Sequence, residues 1–187
     1  MVKAIILDCF GVLTTDKWRE FVATLPEQQR RPASDLNHAF DAGHITKAEF
    51  FQSVEELTGN PPQGTDEILY GEAHKNTDLL ELIAQLKPNY RIGLLSNVAS
   101  NWPRDQFLTA DERALFDDFI LSYEVHMAKP DPRIFALAAE RLGVSPEECV
   151  LIDDVDYYCG VAKDQGMHAI CYTDFQQTKL ELEKLLG

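Results

Sequence analysis

Three apolar runs in this chain end in residues that can do chemistry. Lys3-Ala4-Ile5-Ile6-Leu7 leads into Asp8, Arg91-Ile92-Gly93-Leu94-Leu95 into Ser96 and Asn97, and Cys149-Val150-Leu151-Ile152 into Asp153 and Asp154. Between the last two stands Ala128-Lys129-Pro130-Asp131-Pro132, a lysine in a proline-stiffened loop ahead of a helix. Short apolar runs closed by turn signals read as strands of a parallel sheet buried on both faces. Open sheets of that kind hold ligands in the crevice outside the carboxyl ends of their strands, where each of these polar groups falls. Taken singly, each has a plain structural use: Asp8 caps a turn, Ser96-Asn97 makes one, Lys129 is a surface lysine and Asp153-Asp154 a solvated strand end. Taken in chain order they supply a carboxylate nucleophile, a hydroxyl, a cation and two adjacent acids. Two like charges set beside Asp8 repel unless a cation lies among them.

In order and type these residues resemble the four motifs of the haloacid dehalogenase superfamily, most of whose members are phosphatases. The resemblance covers nearly the whole chain, including 124–135 and 150–170. It is closest to the branch holding alpha-glucose-1-phosphate phosphatases and the N-terminal phosphatase domain of soluble epoxide hydrolase, because Phe40-Asp41-Ala42-Gly43-His44-Ile45-Thr46-Lys47-Ala48-Glu49-Phe50 is similar to the cap segment of that branch. The resemblance implies an aspartyl-phosphate intermediate on Asp8 and a magnesium ion (Mg2+) held by Asp8, Asp154 and the backbone carbonyl of Phe10, with Asp153 holding a metal-bound water. Ser96, the amide of Asn97 and the ammonium of Lys129 would then bind the phosphoryl oxygens as charge shifts in the transition state. The implied substrate is a small phosphorylated metabolite, most simply a sugar phosphate.

Three positions depart from that pattern. Phe10 stands where most phosphatases of the superfamily carry a second Asp acting as general acid and base; a backbone metal contact survives the change and a side-chain proton does not. General acid-base catalysis contributes about 10² to 10⁴ in rate. An aromatic at this position instead resembles the metal-free 2-haloacid dehalogenases, a second reading, and a catalytically silent binding protein is a third. His126 replaces a usual glycine before the lysine, and Tyr158 a frequent asparagine.

The elements that must position these groups follow from periodicity. The expected fold is α/β, a Rossmann-like parallel sheet with a small all-helical cap inserted after the first strand: core over 1–14, cap over 15–75, core again over 76–187. Within the cap, Trp18, Phe21, Val22 and Leu25 share a helix face as far as Pro26, and Leu36, Ala39 and Phe40 make a second short stretch. Thr46 with Glu49 is a capping box opening a third helix through Leu57, and a fourth segment runs from Thr65 toward Ala73 after the Gly59–Gly64 breaker. Strands alternating with helices then imply right-handed crossovers. The expected pieces are a helix 77–86, a strand 92–95, short helical pieces near 105 and 111–116 and a strand 119–122. A helix from Asp131-Pro132 to Gly143, a capped turn at Ser145, a helix toward Gly166, a strand 168–171 and a helix from Asp174 complete the set.

The 187 residues suffice for one α/β domain with a modest insertion, and the net charge of −14 disfavours nucleic acid or an anionic membrane as partner. Cys9, Cys149, Cys159 and Cys171 fall on or beside expected core strands without a C-x-x-C pair, which suits buried thiols and a cytoplasmic setting. Asp8 interrupts the N-terminal apolar run, so it is not read as a signal peptide. The five histidines lack ligand spacing, with His44 in the cap a candidate substrate contact. A monomer or weak homo-oligomer is expected.

Overall fold

The computed structural model describes residues 1–187. Five parallel strands, β1 (Ala4–Leu7), β2 (Arg91–Ser96), β3 (Asp118–Leu121), β4 (Cys149–Asp153) and β5 (His168–Cys171), form one sheet in the order β3-β2-β1-β4-β5. The α/β fold is therefore the expected one. Alternate residues face opposite sides of each strand. Ile5, Leu7, Leu94, Val150 and Ile152 pack into one core cluster, with α5 (Thr77–Leu86) and α10 (Phe175–Leu186) supplying Leu79, Ile83 and Leu182. Ala4, Ile6, Leu95, Cys149 and Leu151 pack into the other, against Ile134, Phe135 and Ala138 of α8 (Pro132–Arg141) and Ala162 of α9 (Asp156–Asp164).

Four helices lie between β1 and α5: α1 (Lys17–Thr24), α2 (Glu27–Asp41), α3 (Lys47–Thr58) and α4 (Pro62–Tyr70). They enclose a core of their own, in which Trp18, Val22, Phe40, Phe50 and Val54 are buried and the Phe40 and Phe50 rings stack at 4.6 Å. The Thr46–Glu49 capping box forms at the start of α3. The helical insertion is entered at Thr14 and left at Lys75, which form an antiparallel bridge, and Asn76 donates from its backbone to Leu13 O and from its side chain to Val12 O.

Two boundaries in the insertion differ from the periodicity reading. The segment seen as Leu36–Phe40 reaches back to Glu27 and runs through Pro32. Pro32 sits on an exposed face, where water can bond the carbonyl its missing amide leaves free. The fourth helix begins at Pro62 rather than Thr65, because a proline is well placed in the first helical position. Between β2 and β3 the chain makes one π-helical turn (Pro103–Phe107) and the short α6 (Ala110–Arg113); α7 (Ser122–Val125) follows β3.

His126 ends α7 with φ +52°, left-handed, and its side chain is exposed. A β-carbon in that conformation costs roughly 1–2 kcal/mol, a cost that glycine would not carry. The backbone freedom that glycine gains in the unfolded chain offsets part of this. His126→Gly is expected to stabilise the fold by about 0.5–1 kcal/mol, read as a higher urea midpoint at unchanged slope.

Candidate active site

The strand order reverses between β1 and β4, so the crevice of this sheet opens where Asp8, Asp153 and Asp154 leave their strands. One carboxylate oxygen from each of the three lies within 4.8 Å of the other two. Lys129 Nζ is 3.0 Å from Asp8 Oδ2 and 2.5 Å from Asp153 Oδ2, and both Lys129 and Asp153 are fully buried. Asp8 Oδ1 accepts from the Cys9 amide at 2.7 Å, and Asp153 Oδ1 from the Val155 amide at 2.9 Å. The turn after Asp8 closes through Gly11 N–H to Thr14 O and through Leu13 and Thr14 N–H to Cys9 O. Gly11 takes φ +85°, and a β-carbon there would run into the Asp154 carboxylate.

Charge balance dominates this cluster. Burial pushes the Asp8 carboxyl well above the usual range; Lys129 pulls it back, while Asp153 and Asp154 push it further up. Burial also works against the Lys129 ammonium, but the carboxylates of Asp153 and Asp8 outweigh that and hold it charged, above its ordinary value. Three carboxylates thus face one internal cation. The Asp154 Oδ1 atom is buried without any hydrogen-bond partner, while Asp154 Oδ2 is met by the Arg19 guanidinium of α1. An all-oxygen donor set with an orphaned carboxylate oxygen fits a divalent cation such as magnesium.

Of the remaining motif residues, Phe10, Asn97 and Tyr158 line the cavity beside this centre and Ser96 does not. Ser96 is fully buried at the end of β2, its hydroxyl without a partner. The Asn97 carboxamide grips the lysine loop: Nδ2 donates to Lys129 O and Oδ1 accepts from Lys129 N–H, both at 2.8 Å. That clamp was not legible in the sequence, where only the Asn97 amide was assigned. The Phe10 ring stacks on Trp102 at 5.6 Å, and Trp102 in turn on Phe107 at 5.1 Å. Tyr158 lays its ring against the Lys129 ammonium, 5.3 Å from the centroid, as a cation–π contact.

A cavity of about 260 Å³ joins this centre to the helical insertion. Asp8, Phe10, Asn97, Lys129 and Tyr158 line it from the sheet, and Asp16, Trp18, Arg19, Asn37, His38, Asp41 and Tyr70 from the insertion. His44 does not line it; His38, six residues earlier and within α2, does. Arg19, Asn37 and Asp41 were absent from the sequence reading of the site. The spacing of Asn37 and Asp41 at i,i+4, and an arginine three residues after the helix-capping Asp16, were their faint signals.

The family model for haloacid dehalogenase-like hydrolases matches residues 2–156, and the chain belongs to that family. It is 40% identical over 184 residues to the bifunctional epoxide hydrolase 2 of Sus scrofa, covering 95% of this chain but 29% of the pig protein, so it spans less than a third of that relative. It is 30% identical to the beta-phosphoglucomutase of Bacillus subtilis, over 90% of this chain and 82% of the other. Among solved structures it superposes on a haloacid dehalogenase family enzyme of Bacteroides thetaiotaomicron in complex with magnesium and inorganic phosphate, with TM-score 0.73, 25% identity and coverage of 95% and 99%. The fold is shared with the L-2-haloacid dehalogenase of Xanthobacter autotrophicus at TM-score 0.70 and 20% identity, over 100% of this chain and 84% of the other. No helix is long and apolar enough to cross a membrane.

Asp41 provides a test of the cavity's electrostatics. Burial, and then the Asp16 charge, push its carboxyl up to about 8, against a smaller opposing effect of the Asn37 hydrogen bond. The Asp41 charge in turn pushes up the phenols of Tyr70 in α4 and Tyr158 in α9, which face the same cavity. The folded protein therefore keeps a proton that the unfolded chain releases above about pH 4. Its contribution to stability is complete below that pH, falls as pH rises and levels off above about 8. In metal-free buffer the wild-type melting temperature should fall more steeply between pH 5 and 9 than that of Asp41→Asn; parallel curves would refute the shift.

Proposed function

We propose that this chain is a magnesium-dependent phosphatase acting on a small sugar phosphate through an aspartyl-phosphate intermediate on Asp8. The observation that carries this reading is the convergence of Asp8, Asp153 and Asp154 on one point with Lys129 beside them and one Asp154 oxygen unpartnered. Magnesium held by Asp8, Asp154, the Phe10 carbonyl and a water on Asp153 would neutralise the excess carboxylate charge and that of the phosphoryl oxygens. Asp8 attacks phosphorus, and Lys129, Ser96 and the Asn97 amide receive the equatorial oxygens.

Ser96 suits that role because its buried hydroxyl has no partner of its own. Lys129 suits it because two carboxylates fix its charge and the Asn97 clamp fixes its backbone. A cavity of about 260 Å³ suits a metabolite of sugar-phosphate size, and residues 15–75 act as the cap that closes over it. A beta-phosphoglucomutase among the relatives, and a neighbour solved with magnesium and inorganic phosphate, support the same chemistry. Four unpaired cysteines suit a cytoplasmic setting.

Halide displacement from a 2-haloacid is the second reading, favoured by the aromatic Phe10 against the cavity. It leaves the unpartnered Asp154 oxygen without a purpose.

Phosphate release from a panel of sugar phosphates and from 4-nitrophenyl phosphate separates the two. Magnesium-dependent release that chelator and Asp8→Asn each abolish is expected; halide release with no phosphate release would replace this reading by the second. Magnesium should also raise the melting temperature in proportion to the logarithm of its concentration above Kd. That shift should vanish in Asp154→Asn, a readout that does not depend on turnover.

A further inference from the structure

A phosphate monoester with an ordinary alcohol leaving group needs a proton at the departing oxygen, and the position two residues after Asp8 cannot supply one. Its occupant, Phe10, is a ring stacked on Trp102. The cavity shared by Asp8 and the helical insertion holds three carboxyl side chains: Asp8, Asp16 and Asp41. Asp8 faces Lys129. Asp16 is committed twice, accepting from the Arg19 amide at 2.9 Å as the cap of α1 and pairing with Arg19 Nε at 3.3 Å. Asp41 has no cation against it. Its one side-chain hydrogen bond comes from Asn37 Nδ2 to Oδ2 at 2.9 Å, which leaves Oδ1 open to the cavity.

The backbone holds Asp41 firmly to the sheet. It is the last residue of α2, and its carbonyl accepts from the buried Ser122 hydroxyl at 2.6 Å. Ser122 Oγ in turn accepts from the Val98 amide at 2.8 Å, in the loop that follows Ser96 and carries Asn97. The end of α2 is thus tied to the loop over which a phosphoryl group would sit, although it belongs to the insertion.

We propose that Asp41 is the general acid and base of this site, doing from the helical insertion what Phe10 cannot do from the sheet. This rests on the phosphatase reading. As Asp8 Oδ bonds to phosphorus, the bond from phosphorus to the leaving oxygen breaks and its electron pair goes to that oxygen. Asp41 passes its proton there, releasing the alcohol. In the second step the Asp41 carboxylate takes a proton from water while the water oxygen bonds to phosphorus, and the Asp8 carboxylate departs from inorganic phosphate. The raised carboxyl value of Asp41 keeps that proton available near neutral pH.

The test compares glycerol 1-phosphate, whose alkoxide needs the proton, with 4-nitrophenyl phosphate, whose phenolate does not, for wild type, Asp41→Asn and Asp41→Glu. In Asp41→Asn, kcat/KM for the alkyl ester should fall about 10² to 10⁴ further than for the aryl ester. The aryl ester should then show a burst of nitrophenolate equal to the enzyme present, because the second step has lost its base. Partial recovery of alkyl-ester turnover in Asp41→Glu is expected. An equal fall on both esters without a burst would assign Asp41 a structural role and overturn the proposal, as would an undiminished alkyl-ester rate. A wild type that releases phosphate from neither ester nor from any of the sugar phosphates, with magnesium present, overturns the phosphatase reading itself and this assignment with it.

Discussion

Most of this structure follows from the need to keep three carboxylates and one lysine together out of water. Asp8, Asp153 and Asp154 emerge from adjacent strands into the same crevice, and Lys129 sits fully buried against two of them. Buried charges persist only when paired and hydrogen-bonded. Here each pairing has structural support behind it. The Asn97 carboxamide fixes the backbone of Lys129, amides of the two strand-end turns fix Asp8 and Asp153, and Tyr158 covers the ammonium. One lysine still leaves the cluster short of positive charge, and the shortfall falls on Asp154.

The helical insertion answers part of that shortfall and sets the shape of the cavity. Arg19 reaches Asp154 from α1, while Trp18 and Tyr70 wall the space above Asp8. Both strands of the connection run side by side at Thr14 and Lys75, and Asn76 bonds to Leu13 and Val12, so the insertion is anchored within a few residues of Asp8 itself. A second anchor lies at the far side, where Ser122 bonds to the end of α2. Side chains from the insertion therefore meet the strand-end groups at fixed points and not only through loose apolar contact. With a net charge of −14 these local cations stand against the field of the whole chain, which the phosphorylated substrate proposed above would have to cross.

Phe10 sets the character of one side of the crevice. The ring extends an aromatic stack through Trp102 to Phe107, which makes that side of the crevice apolar and rigid. Asn37, His38 and Asp41 of α2 bring polar groups to the same cavity. His126 and Tyr158 each have a physical role of their own. His126 holds a left-handed backbone that glycine adopts without a β-carbon penalty, and Tyr158 places an aromatic face where a cation lies.

The sheet and its strand-end chemistry were legible in the sequence because they are local. An apolar run that stops at Asp8, Ser96 or Asp153 encodes both a buried strand and the residue at its carboxyl end. The β5 strand and the Thr46 capping box were equally plain, since pattern and turn chemistry agreed. Where α2 begins was not, because Pro32 disrupts a local pattern that an exposed helix face tolerates. The sequence by itself determined the fold class and the set of groups gathered at the ends of β1, β2 and β4. Tertiary structure alone decided that Arg19 meets Asp154, that Asn97 clamps Lys129 and that Asp41 shares a cavity with Asp8. Those contacts join residues 32 to 135 positions apart. Their geometry depends on how helices pack over a sheet, which no window along the chain contains.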